Sequence, residues 1–91
     1  MQLKIKKFGN MLISRPEGRD AALVILNQFI KNLNNDEIVE LDFEGVLVLT
    51  PSWLDEVVQA TLTKTTKEKI KYLNTSNSSV AASIEMVLSL I

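Results

Sequence analysis

No histidine and no cysteine occur among the 91 residues. Their absence excludes imidazole and thiolate metal sites, Ser-His-Asp and Cys-His catalysis, redox thiols and iron–sulfur ligation. A chain without cysteine suits a reducing compartment, so a cytoplasmic protein is expected. Glycine and proline are scarce, at three and two residues, which favours continuous elements joined by short turns. Neither charge sign dominates: ten basic and eleven acidic side chains leave a net charge of -1. The cationic field that holds nucleic acid is therefore missing. Long apolar runs are missing as well. Nothing approaches the ~20 residues that span a bilayer, and Leu3 and Ile5 alternate with Lys4 and Lys6 where a secretory leader would be uniformly apolar. The expectation is a chain with no nucleic-acid or membrane partner and no metal or cofactor.

What is present suffices for one domain spanning residues 1–91. Hydrophobic residues make up 46% of the chain, enough for one core without disulfide or metal staples. Residues 2–8 read as a half-exposed edge strand, with Lys4, Lys6 and Lys7 discouraging stray pairing. Gly9-Asn10 then separates it from Met11-Leu12-Ile13, the signal of an antiparallel hairpin. Ser14-Arg15-Pro16-Glu17 is a capping box with proline in the first turn. It predicts a helix over 15–33, with Ala22, Leu23, Leu26, Phe29, Ile30 and Leu33 on its inner face. Residues 37–43 read as a central strand. Val46 to Leu49 form a short apolar run into Thr50-Pro51, an N-cap followed by a good first helical residue.

The second helix is expected over 51–66. Leu54, Val57, Val58, Thr61 and Leu62 share one arc, with Trp53 and Ala60 at its edge. Ser52, Asp55, Glu56, Gln59 and Thr63 fill the other arc. Residues 70–73 form a further strand, 74–79 a polar loop of caps and turns, and 78–90 a last helix. The order β-β-α-β-α-β-α predicts an α/β fold: a mixed sheet of about four strands with helices mainly on one face.

The stretch LDFEGVLVLTPSWLDEV resembles a STAS-like family of unknown function. STAS is the fold of sulfate-transporter cytoplasmic domains and bacterial anti-sigma factor antagonists. The matching pieces are Leu41-Asp42-Phe43, Gly45-Val46, Pro51-Ser52 and Asp55-Glu56. The resemblance is to a shorter version, because full STAS domains usually add another strand and helix. It implies a non-enzymatic interaction module of a bacterial regulatory switch, docking a histidine-kinase-like ATPase. In the antagonists a serine at this helix start is phosphorylated. That position falls on Pro51 here, and Ser52 matches the serine that follows.

Thr50 and Ser52 are thus the candidate phosphorylation sites. With Asp55, Glu56 and Gln59 they form the candidate partner-binding face. A phosphate at a helix N-terminus is favoured by free N–H groups and the helix dipole. The plainer alternative makes Thr50 a cap and Ser52 a solvated first-turn residue. Paired carboxylates could suggest acid–base chemistry, but Asp55 and Glu56 diverge by about 100° on a helix, so no catalysis is expected. Asp42 is expected to cap a neighbouring turn. The alternative to a switch is a structural subunit that dimerises or completes a larger complex through Leu88-Ser89-Leu90-Ile91.

Overall fold

A computed structural model describes residues 1–91. Five short strands are β1 (Gln2–Lys4), β2 (Met11–Leu12), β3 (Val39–Asp42), β4 (Val48–Leu49) and β5 (Ile70–Leu73). Three helices are α1 (Arg15–Val24), α2 (Pro51–Leu62) and α3 (Ser78–Leu88). The α/β class and the three helices agree with the sequence reading. The sheet does not. The strands form two sheets, β1-β3-β5 and β2-β4, and every pairing is parallel.

The expected hairpin is absent. Ile5–Phe8 forms a 3-10 turn, and β2 pairs with β4 instead of β1. The cause is visible in the pattern. Strict alternation would put Lys7 on the apolar side and leave Phe8 on the polar one. A 3-10 turn puts residues three apart on one side, which directs Ile5 and Phe8 inward together. Ile5 is fully buried and Phe8 packs on the core. The two sheets are successive halves of the same pair of segments. Between the registers Lys4↔Asp42 and Met11↔Val48, six residues (5–10) run beside five (43–47). The tight turn accommodates the extra residue.

In the three-stranded sheet Leu3, Leu41 and Tyr72 lie in one cross-strand row on the core side, with Val39 and Ile70 beside them. Gln2, Glu40 and Lys71 form the next row, half-buried or exposed. The second sheet buries Leu12 and Leu49 and leaves Met11 exposed.

The first helix is shorter than expected. After Val24 the chain passes through a π-helical turn, Ile25–Phe29, and stops at Ile30. The extra residue of that turn shifts the helical register, so Ile25 and Ile30 are both fully buried. The inner face of α1 is Gly18, Ala21 and Ala22, continued by Ile25 in the π-helical turn, while Leu23 is exposed. Small residues face inward because α1 crosses α2 closely. A Cβ on Gly18 would sit 2.6 Å from the Trp53 carbonyl oxygen. The wheel of α2 holds: Leu54, Val57, Val58 and Thr61 are buried, with Trp53 and Ala60, while Gln59 and Thr63 are exposed.

Candidate functional site

Thr50 ends an extended segment and caps α2. Its Oγ1 accepts from the Trp53 N–H at 3.3 Å and donates to the Ile13 carbonyl at 2.5 Å. The hydroxyl thus joins the helix start to the segment that follows β2. Pro51 occupies the first turn, where its missing N–H costs nothing. Ser52 follows, half-buried, with no side-chain hydrogen bond inside the chain. The two candidate hydroxyls therefore differ: Thr50 is committed to structure and Ser52 is not.

Asp55 and Glu56 are half-buried and turn toward α1. The Arg15 guanidinium donates through Nη1 to Asp55 Oδ2 at 2.9 Å and to Glu56 Oε2 at 2.7 Å. Arg19 donates from Nε to Glu56 Oε1 at 3.3 Å. The hydrogen bond to Asp55, then that to Glu56, raises the Arg15 pKa above its ordinary value. Gln59 sits one turn on, its Nε2 3.5 Å from Asp55 Oδ1. The face is thus a mixed-charge network across two helices rather than a bare acidic surface.

The two arginines were not singled out in the sequence, although their spacing of four residues on a capped helix places them on one flank. Half of the capping box forms: the Glu17 N–H donates to Ser14 Oγ at 3.2 Å, while the Glu17 carboxylate accepts from the Ser14 hydroxyl at 2.8 Å instead of from the Ser14 N–H.

Asp42 lies elsewhere, at the carboxyl end of β3, and is buried. Its Oδ1 accepts from Asn74 Nδ2 at 2.7 Å and from the Glu44 N–H at 3.0 Å. The Asn74 hydrogen bond, then the Glu44 N–H, holds its carboxyl below the usual carboxylate range, with help from nearby Lys4 and against the cost of burial. Asn74 adopts a left-handed backbone, φ 57°, to make this contact. Burial pushes the Tyr72 phenol up. Lys6 lies over Gly45, and Lys7 stacks its ammonium 4.4 Å from the centre of the Phe29 ring. Neither lysine lies on an edge strand as expected.

The polar loop does act as a cap: Asn77 Oδ1 accepts from the Val80 N–H at the start of α3. That helix also seals the outer edge of β4. Ser79 donates to and Ser83 donates to the Leu49 carbonyl, and the Leu49 N–H donates back to Ser79. No three Asp or Glu side chains converge as a metal ligand set, and no helix is long and apolar enough to cross a membrane.

A family model described as a STAS-like domain of unknown function matches residues 21–80. No curated protein and no solved structure matches the chain.

Proposed function

The chain belongs to the family of STAS-like domains of unknown function, and from that premise we propose that it is a non-enzymatic protein-interaction module of a bacterial regulatory switch. The observation that carries the proposal is the start of α2. Ser52 presents an uncommitted hydroxyl on the first turn of a capped helix, beside a half-exposed network of Asp55, Glu56 and Gln59. A phosphate there would meet the one N–H left free at the helix start, that of Ser52, together with the helix dipole, and bring about -1.5 to -2 charge to a face that already holds two carboxylates. By resemblance the partner is a cytoplasmic histidine-kinase-like ATPase. Thr50 positions the corner, and Asp55, Glu56 and Gln59 meet the partner.

The test is titration calorimetry against an ATPase of that class encoded beside this chain. Ser52→Asp keeps the fold and weakens binding at least tenfold, because a like charge at a docking face is costly. Ser52→Ala folds and binds. Equal affinity of Ser52→Asp and wild type removes the switch role from this corner. A second reading, a structural subunit, draws on α3 and the residues after it: Met86 is 53% and Leu90 70% exposed. Its signature is a dimer by sedimentation that Leu90→Glu dissolves.

A further inference from the structure

The first helix separates its charges by flank. Arg15 and Arg19 lie toward α2 and are held by Asp55 and Glu56. Glu17 and Asp20 lie on the other flank, where α1 faces the Ile5–Phe8 turn and β2. Between them opens a groove of about 280 Å³, floored by Phe8, Leu12, Val24 and Trp53 and rimmed by Glu17 and Asp20. Phe8 and Trp53 form a tilted aromatic pair, centroids 6.1 Å apart. No lysine or arginine lines the groove, and Asp20 has no ion-pair or hydrogen-bond partner in the chain.

We infer that this groove is a docking site for a basic segment of a partner protein, seating one apolar side chain that is flanked by lysine or arginine. Size and charge select that occupant. Clefts that enclose drug-sized ligands run from about 300 to 1,000 Å³, so this one lies at their small end and has room for an aliphatic or aromatic side chain. Its floor is apolar, which selects an aliphatic or aromatic group. The rim is anionic and uncompensated, because the two arginines of the same helix are engaged on its far side. A cationic neighbour on the incoming segment completes the rim, speeds association and excludes acidic segments. The exposed apolar residues of α3 in a second copy fit poorly: they adjoin Glu85, and that helix holds no lysine or arginine. The groove is separate from the Ser52 face and its test does not depend on it.

Trp53 is the chain's single tryptophan and lies in the groove floor, so its emission reports occupancy. The probes are capped five-residue peptides with phenylalanine or leucine at the centre and arginine or lysine on both sides. One control replaces the flanking bases by glutamate, and a second replaces the apolar centre by glycine. Basic apolar peptides shift the Trp53 emission and the methyl resonances of Val24, and both controls bind at least tenfold more weakly. Asp20→Lys, on an exposed helical position, keeps its helical circular dichroism and weakens the basic peptides at least tenfold. Glu68→Lys, the same charge change on the turn before β5, leaves them within twofold. Equal binding of acid-flanked peptides, an unchanged Asp20→Lys affinity, or no shift at millimolar peptide overturns the proposal. So do signals that move with protein concentration alone, which would place a second copy in the groove.

Discussion

Asp42 keeps a charge in a buried position because three neighbours hold it there: the Asn74 amide, the Glu44 N–H and, at longer range, Lys4. Its carboxyl titrates lower in the folded chain than in the unfolded one. The folded state therefore has that stability in full above the ordinary carboxylate range, near pH ~4, and loses it as pH falls through that range toward the folded value. Asn74→Gly accepts the left-handed backbone but removes the donor. It is expected to cost about 1.5–3 kcal/mol at neutral pH, as hydrogen bonds to charged groups do. The difference from wild type should shrink as pH falls below ~4, where the unfolded-state Asp42 carboxyl takes up a proton while the folded one is still charged. Urea midpoints at neutral pH and below pH ~4 check this; an equal difference at both would mean that Asn74 acts through its backbone alone. Local contacts such as the Ser14–Glu17 box and the Thr50 cap were readable from spacing. The Asn74–Asp42 contact joins residues 32 apart, and no local pattern announces it.

Helix packing repeats the contrast. The inner arc of α2 follows directly from its apolar periodicity. For α1 the same rule favoured Leu23, which is 53% exposed, because burial there is decided by how closely two helices approach. Gly18, Ala21 and Ala22 bring less apolar area than leucine but permit contact between backbones. Gly18→Ala measures that contact. Alanine favours a helix by ~1 kcal/mol over glycine, yet its Cβ would lie 2.6 Å and 2.9 Å from Trp53 backbone atoms, which cannot rotate away. Overpacking of roughly 1–3 kcal/mol outweighs the gain. A net loss of up to about 2 kcal/mol in urea unfolding is expected, and a net gain would show that the helices slide apart freely. The candidate face was equally half-readable: Asp55, Glu56 and Gln59 lie on the outer arc as expected, but the arginines that engage the two acids belong to another element.

At the scale of the whole molecule the α/β class was legible from alternating strands and helices, whereas the division into two sheets was not. A Gly-Asn pair between apolar runs signals a hairpin only when the runs pair with each other. Here each found a partner far along the chain. Leu3 lies opposite Leu41, Leu12 opposite Leu49 and Leu41 opposite Tyr72, so the pairings span 38, 37 and 31 residues. The all-parallel arrangement therefore has a consequence in time. No strand pair can form by a local zipper. Each must wait for a long loop to close, and that entropy is spent before any ladder bond forms. Refolding followed through Trp53 in a stopped-flow mixer should take roughly milliseconds to a second, not the microseconds of a helical bundle of this size. Microsecond refolding would show that contacts between α1 and α2 alone set the rate. Until β3 and β4 are in place, β1 and β2 have no partners, and Leu3, Ile5 and Leu12 stay exposed to whatever else the chain meets.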